Sequence, residues 1–196
     1  MNFSAGNIYH VYNRGNQKQL IFFKPENYVF FLRKMRKELL PYAEILTYCL
    51  MPNHFHWLLL VKDAYSSDDS KSSDESSGKP LHQAIAIILR SYTRAIQKQE
   101  NFTGSLFQQK TKAKLISTES QLLTCVNYIH QNPMKANLVL KMEEWPYSSF
   151  SDYCGFRSGT LCSKDKLREV CGLNAKLDFY KLSYSIIPDA ELRSIF

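Results

Sequence analysis

The sequence lacks the features that mark several large classes of protein. It has five cysteines but no CxxC pair, which fits neither a disulfide framework nor a zinc ribbon. We expect these thiols to be small buried side chains in a reducing compartment. No apolar run approaches the roughly 18 residues that a membrane span needs, and the polar start MNFSAGN predicts no signal peptide. These absences predict a cytoplasmic protein that has no membrane partner.

Positive charge is what the sequence has in excess. Its 196 residues carry 25 lysines and arginines against 18 acidic residues, a formal charge of +7. The segment Ser66 to Pro80, SSDDSKSSDESSGKP, has no apolar residue and a charge of −2, so it predicts a flexible polar loop and leaves +9 for the rest. The length predicts one compact domain with appendages, and the charge suits a polyanionic partner such as nucleic acid.

Hydrophobic periodicity predicts an alternation of strands and helices. The two strands around Pro52 are apolar on both faces, so both are expected to be central. The order predicts an α+β fold, a ferredoxin-like split βαβ sandwich with a central antiparallel sheet, plus a short helical C-terminal extension. The predicted elements are strands at Asn7–Asn13, Glu44–Met51, His54–Val61 and Ala113–Ile116, and helices from Pro25, at Leu81–Gln99, Thr118–Pro133, Lys164–Cys171 and Asp189–Phe196.

The segment MPNHFHWLLLV carries a pair of histidines on a predicted strand. Strand alternation places His54 and His56 on one face, about 7 Å apart by strand rise. Neutral imidazole is a good ligand for Mn²⁺ and Zn²⁺, and it also serves Mg²⁺ when an oxygen ligand and waters complete the site. Because a His-x-His pair in a strand is more often structural, the pair predicts a metal site only if a second element meets it.

The helix TESQLLTCVNYIHQNP is the candidate second element. Thr118 begins a capping-box pattern, and Pro133 is expected to limit the helix. Tyr128 and Asn132 lie one turn apart, so a phenol oxygen and an amide oxygen project together. If that face meets the histidine strand, it supplies a nucleophile and a third metal ligand for phosphoryl transfer. His130 falls off this face and is given no role.

Five blocks of sequence follow one another in an order that resembles the HUH single-tyrosine transposases, most closely the IS200-like REP-associated tyrosine transposases. The blocks are IYHVYNRGN, MPNHFHWLL, SLFQQK at Ser105–Lys110, YIHQNPMKANLV at Tyr128–Val139 and WPYSSFSDY at Trp145–Tyr153. They extend to Tyr153, so the resemblance implies a transposase domain over residues 1–153. Residues 154–196 are then a C-terminal extension.

The resemblance implies a DNA transposase that cleaves and rejoins single-stranded DNA at hairpin-containing ends through a 5′-phosphotyrosine. It implies Mg²⁺ or Mn²⁺ bound by His54, His56 and Asn132, with Gln131 as the substitute for Asn132, and Tyr128 as the catalytic nucleophile. Single-stranded or hairpin DNA is the implied partner. The protein is expected to be a monomer or a homodimer.

Basic residues at regular spacing form the predicted DNA surface, and nearby aromatic side chains are expected to stack on unpaired bases. Two alternatives stay open at this point. The same sandwich occurs in non-catalytic DNA- or RNA-binding modules, and rolling-circle replication initiators share the order of histidines followed by tyrosine. The predicted basic residues are Arg14, Arg90, Arg94, Lys110, Lys112 and Lys114, and the aromatic ones are Trp57, Tyr92 and Phe107.

Overall fold

A computed structural model describes residues 2–63, 80–172 and 176–196. Except for Pro80, the loop predicted at Ser66–Pro80 lies outside these residues. The strands are β1 (Ile8–Arg14), β2 (Ala43–Met51), β3 (His54–Val61) and β4 (Lys112–Ile116), and the helices of the sandwich are α1 (Pro25–Leu39), α2 (Leu81–Glu100) and α3 (Glu119–Lys135). Four helices follow, α4 (Phe150–Tyr153), α5 (Lys164–Val170), α6 (Lys176–Ser183) and α7 (Asp189–Leu192).

The four strands form one antiparallel sheet in the order β2-β3-β1-β4. Helices α1 and α2 pack together beside the sheet, while α3 contacts β2 and β3. This arrangement confirms the ferredoxin-like α+β sandwich predicted from the order of elements. The predicted bounds of the strands and of α2 differ from the observed bounds by no more than one residue at either end, because the hydrophobic periodicity is clear there.

Aromatic side chains fill the layer between the sheet and α1 and α2. Phe31 of α1 has its ring centroid 5.7 Å from that of Trp57 and 4.7 Å from that of Tyr92, and all three side chains are fully buried. Phe107 is only 6% exposed. The expectation that Trp57, Tyr92 and Phe107 stack on bases is therefore wrong, because all three belong to the core.

Strand β2 is an edge strand, whereas β3 is central as expected. The prediction of two central strands is therefore wrong for β2. The segment after Trp145 covers that edge: the amide of Leu50 donates to the carbonyl of Tyr147 at 2.9 Å, and the amide of Ser163 donates to that of Ile45 at 2.9 Å. Helices α1 and α3 also contact β2, so nearly all of its side chains are buried like those of a central strand, which explains its apolar sequence.

Helix α3 begins where its capping pattern predicts but continues further. The hydroxyl of Thr118 accepts a hydrogen bond from the backbone amide of Gln121 at 3.2 Å. Pro133 lies inside the helix, which ends at Lys135, so the prediction that Pro133 limits it is wrong. The helix passes Pro133 because tertiary packing, which buries the side chains of Gln131 to Pro133, outweighs the loss of one backbone hydrogen bond.

The hydrophobic core continues past residue 153, where the sequence predicts the domain boundary. The rings of Tyr153 and Phe179 stack at 4.7 Å, and Leu167 and Ile195 are fully buried in the same core. Two of the four later helices, α5 and α7, lie where periodicity predicts helices. None of the helices in the described ranges has the length and apolar character that crossing a membrane requires.

Removing the Phe31 side chain should test the aromatic layer. We expect Phe31→Ala to lower the free energy of unfolding by about 3–5 kcal/mol, because it leaves a cavity among buried rings. The matched variant Val29→Ala, on the exposed side of the same helix at 42% exposure, should change it by less than about 0.5 kcal/mol. Urea denaturation measures both, and equal effects would contradict the assignment of this layer as the main core.

Candidate active site

The histidine pair projects from the face of the sheet that α3 covers. In the antiparallel pairing of β1 with β3, Tyr12 lies opposite His56 and Arg14 opposite His54. The two imidazole rings are perpendicular, with centroids 5.1 Å apart. Tyr128 extends from α3 so that its ring lies 5.3 Å from that of His56, also perpendicular. The face of α3 that carries Tyr128 therefore meets the histidine strand. From the sequence alone, this meeting was only a condition.

Asn132 lies one turn beyond Tyr128 and lines the same cavity as both histidines. Its Nδ2 donates to the backbone carbonyl of Tyr128 at 2.8 Å, which leaves Oδ1 as the atom available to a ligand. Gln131, the substitute named from the sequence, points elsewhere. Its amide donates to the carbonyls of Ser183 and Ser185 at 2.7 and 2.8 Å. Of the two amides named from the sequence, Asn132 is thus the one that shares a cavity with the histidines.

The cavity has a volume of about 410 Å³, and among the described residues no Asp or Glu side chain lines it. Arg14, Lys110 and Lys112 are its charged lining residues. The Nε atom of Arg14 is buried and has no hydrogen-bond partner in the described part of the chain. A buried guanidinium donor without a partner is costly unless an anion meets it. The cavity therefore suits an anionic ligand such as a phosphodiester.

Burial keeps the central side chains of the cavity uncharged at neutral pH. It lowers the pKa of His54 to about 4 and that of His56 well below its usual value, and the charge of Arg14 acts in the same direction. Burial also raises the pKa of Tyr128 to about 12, although a hydrogen bond from the Asn132 side chain opposes that rise. The imidazoles are therefore ready to bind a cation, whereas the phenol needs a nearby positive charge to lose its proton.

The donor set fits a cation that takes mixed nitrogen and oxygen ligands. Nδ1 of His54 donates to Oδ1 of Asn53 at 2.6 Å, which leaves its Nε2 with a free lone pair. His54, His56 and Asn132 together offer two imidazoles and one amide oxygen. Across the described ranges no group of three histidine, cysteine or acidic side chains could hold an ion. An ion bound by His54, His56 and Asn132 would depend on the ligand or on water for its remaining coordination positions.

The other basic residues predicted to bind DNA lie around this cavity at different distances from the histidines. Arg90 and Arg94 are exposed on α2 and line a neighbouring groove of about 890 Å³, which Lys110 and Asn13 also line. Because Lys110 and Asn13 border both spaces, the groove and the cavity adjoin each other. Lys114 lines neither, but it alternates with Lys112 on β4 and so shares its face of the sheet.

Side chains without a role in the sequence analysis complete the cavity walls. Tyr12 stacks on His56 with ring centroids 5.6 Å apart, and the Lys112 ammonium lies 5.8 Å from the Tyr12 ring. Phe196 packs edge-to-face on Tyr128 at 4.9 Å. His10 is fully buried beside His56. The alternation of positions 10, 12 and 14 on one strand could have shown that His10 and Tyr12 share a face with Arg14, but nothing local points to Phe196.

His130, which the sequence leaves without a role, lies outside the cavity. It is fully buried, and its Nε2 is 2.8 Å from the hydroxyl of Ser149. That hydroxyl also lies 3.2 Å from the carbonyl of Tyr48, to which it donates, so it accepts its bond from His130. Burial lowers the pKa of His130 to about 3, which makes it a neutral core residue at physiological pH.

Comparisons with known proteins bear on the family resemblance and on the fold. No family model matches the sequence. A segment of 116 residues is 26% identical to a Haemophilus influenzae protein named as a REP-associated tyrosine transposase; it covers 55% of this chain and 58% of that protein, so the chain spans little more than half of that relative. A solved structure of a REP-associated tyrosine transposase bound to a REP hairpin is similar at a TM-score of 0.55 and 19% identity, over 76% of this chain and 79% of that one. The structural likeness shows the fold, and the two comparisons together confirm the resemblance found in the sequence.

Buried neutral histidines should make the fold sensitive to mild acid. The pKa of His130 is lower in the folded state than in the unfolded state, so the unfolded chain binds the extra proton first, and the stabilisation present above pH 6.5 is lost as the pH falls. We expect one such histidine to cost about 2 kcal/mol between pH 6.5 and pH 5. Replacing it, as in His130→Gln, should reduce the pH dependence of stability by about that amount.

Urea denaturation at pH 7 and pH 5 measures this difference. The matched control is His82→Gln, because His82 is exposed on α2 and its replacement removes the same imidazole from the surface. It should leave the pH dependence of the parent protein unchanged. Identical pH dependence in the parent and in His130→Gln would show that His130 is not held neutral by the fold.

Proposed function

We propose that this chain is a REP-associated tyrosine transposase, which cleaves and rejoins single-stranded DNA through Tyr128. The carrying observation is the position of Tyr128, whose ring lies 5.3 Å from that of His56 in a cavity where the charged side chains, among the described residues, are all basic. A nucleophile, a candidate cation site and an anion-binding wall are the parts that phosphoryl transfer needs. The relatives named above support this choice of reaction.

In the proposed step, the hydroxyl oxygen of Tyr128 forms a bond to phosphorus and the bond from phosphorus to the 3′ oxygen breaks. The 3′ oxygen leaves with the electron pair and takes up a proton, while the phenol loses one. The products are a 5′-phosphotyrosine and a 3′-hydroxyl, and attack by a 3′-hydroxyl in the reverse sense rejoins the strand. No water or nucleotide cofactor is consumed, so the bond energy is conserved.

Two features of the chain prepare Tyr128 for this step. The hydrogen bond from Asn132 lowers the pKa of the phenol and so opposes the effect of burial. Phe196 packs on the phenol ring and restricts its movement. Because burial keeps the pKa of Tyr128 high in the absence of a ligand, the free protein holds an unreactive phenol.

His54, His56 and Asn132 would hold Mg²⁺ or Mn²⁺, which when bound neutralises a phosphodiester oxygen and stabilises the charge of the transition state. The three side chains supply no negative charge of their own. Arg14 stands directly opposite His54 on the neighbouring strand. A site with this balance favours the cation and the DNA phosphate binding together rather than either one alone.

Single-stranded or hairpin DNA is the proposed partner. A backbone lying in the cavity would meet Arg14, Lys110 and Lys112, and the adjoining groove along α2 would extend the contact to Arg90 and Arg94. The relative of known structure was solved with a REP hairpin, which supports a hairpin as the recognised element. Lys114, on the face of β4 shared with Lys112, would add to the field.

The nucleophile can be tested by trapping the covalent intermediate. Hairpin DNA from the flanks of the gene, labelled at the 5′ or the 3′ end, is incubated with the protein and Mn²⁺ or Mg²⁺. We expect a denaturant-resistant adduct that retains the label 3′ of the break, because the tyrosine becomes linked to the 5′-phosphate. Tyr128→Phe and EDTA should each abolish it.

The matched variant for this experiment is Tyr12→Phe, which removes a phenol oxygen from the same cavity. It should still form the adduct. An adduct that survives in Tyr128→Phe would show that another residue is the nucleophile. Hairpin binding without any adduct in either metal would instead identify a non-catalytic DNA-binding protein.

The cationic wall predicts how DNA binding depends on salt. Lys112→Gln should weaken hairpin binding and reduce the slope of log affinity against log salt by about 1 in magnitude, since one phosphate contact is lost. Lys37→Gln, an exposed change on α1 beyond the opposite face of the sheet, should leave both unchanged. Fluorescence anisotropy at several salt concentrations measures them, and equal slopes for the two variants would place the DNA elsewhere.

A further inference from the structure

A chain of hydrogen bonds runs from the backbone at residue 195 through His10 to His56. Nδ1 of His10 lies 2.9 Å from the carbonyl oxygen of Ile195, and Nε2 of His10 lies 2.8 Å from Nδ1 of His56. His10 is fully buried and His56 is 4% exposed, so water has little access to these contacts. Both contacts lie at ordinary hydrogen-bond distances, so the proton positions follow from which atoms donate and which accept.

The carbonyl of Ile195 fixes the direction of both hydrogen bonds, because it determines which ring nitrogens carry a proton. A carbonyl oxygen only accepts, so the proton shared with it belongs to Nδ1 of His10. Neutral imidazole carries one proton, which makes Nε2 of His10 an acceptor. Nδ1 of His56 must then donate to it. The second nitrogen of His56, Nε2, is left with its lone pair.

A lone pair on Nε2 is what the proposed cation site needs from His56. A metal binds an unprotonated nitrogen, and the hydrogen bond at the other ring nitrogen decides which nitrogen that is. His54 reaches the same state through Asn53, whose Oδ1 accepts from Nδ1 at 2.6 Å. Nδ2 of Asn53 donates to the carbonyl of Lys18 at 3.3 Å, which fixes the orientation of that amide. Each of the two histidines thus has its own acceptor at Nδ1.

We propose that His10 is a positioning residue: anchored by the carbonyl of Ile195, it holds His56 in the tautomer whose Nε2 is free to bind a cation. This inference rests on the proposed function for the role of His56, whereas the tautomer itself is a property of the free protein. His10 touches neither the cation nor the DNA in this arrangement. It acts through His56, in the way that outer acceptors orient metal-binding histidines.

The tautomer can be read directly from the metal-free protein. In ¹⁵N-labelled histidine spectra, two-bond correlations separate the protonated ring nitrogen from the unprotonated one, and His56→Gln identifies the signals. We expect His56 to carry its proton on Nδ1 in the parent protein. A proton on Nε2 of His56 would overturn the inference, whatever the protein does with DNA.

Substitutions at His10 then separate positioning from packing. His10→Phe keeps a ring between Tyr12 and Phe196 but offers no acceptor, so His56 should shift toward the tautomer with its proton on Nε2. His10→Gln offers an amide oxygen near the position of Nε2 and should restore the proton to Nδ1 of His56. Thermal unfolding of both variants shows that they are folded. Equal tautomer populations in the two variants would contradict a role as acceptor.

The affinity of the His10 variants for a metal ion provides the second measurement. Co²⁺ binds imidazole nitrogen and reports its ligands by visible absorption, so it serves as the probe, with His56→Ala as the baseline. We expect His10→Phe to weaken Co²⁺ binding about 10- to 100-fold and His10→Gln to recover most of that loss. Unchanged affinity in His10→Phe would overturn the inference. If the parent binds Co²⁺ no better than His56→Ala, the metal site itself fails, and the spectra still decide the tautomer.

Discussion

The pairing of β3 between β1 and β2 is the constraint on which the rest of the site depends. It places His56 between Tyr12 on one side and Cys49 on the other, and it sets Arg14 opposite His54. Because successive side chains alternate between faces, a shift of one residue would send both histidines into the aromatic layer under α1 and α2. The packing of that layer around Trp57 prevents such a shift, so the hydrophobic core specifies the register that the chemistry uses.

Local patterns in the sequence predict the strands and helices well but predict poorly which of them contact one another. Alternation and helical spacing located the strands, α2 and the start of α3, because each depends on neighbouring residues. That Tyr128 approaches His56 is a tertiary fact, and only the resemblance to a family suggested it. Helical spacing paired Asn132 with Tyr128, and the resemblance implied the same ligand. Contacts set the difference between Asn132 and Gln131, since Gln131 is engaged by the carbonyls of the segment around Ser183.

The wrong expectations share a physical origin. The sequence pattern around an aromatic residue with basic neighbours is the same whether its side chain faces the core or the ligand. Trp57 and Tyr92 could therefore not be assigned to a face until the packing was known. The sequence of β2 reads as central because a later segment covers its edge. Pro133 predicts a helix end because the sequence shows the proline, which costs one backbone hydrogen bond. The tertiary packing that outweighs this cost is not visible in the sequence.

The bond between His10 and Ile195 joins residues that are 185 positions apart. During synthesis the sheet, α3 and the cavity cations all emerge before the carbonyl of Ile195 exists, because chains are made from the N-terminus. Until then, His10 has no backbone acceptor and nothing dictates the direction of its proton. The arrangement of the histidines thus becomes complete only when nearly the whole described chain has been made, and a partly synthesised protein would hold Arg14, Lys110 and Lys112 in place before the ring of His10 was anchored.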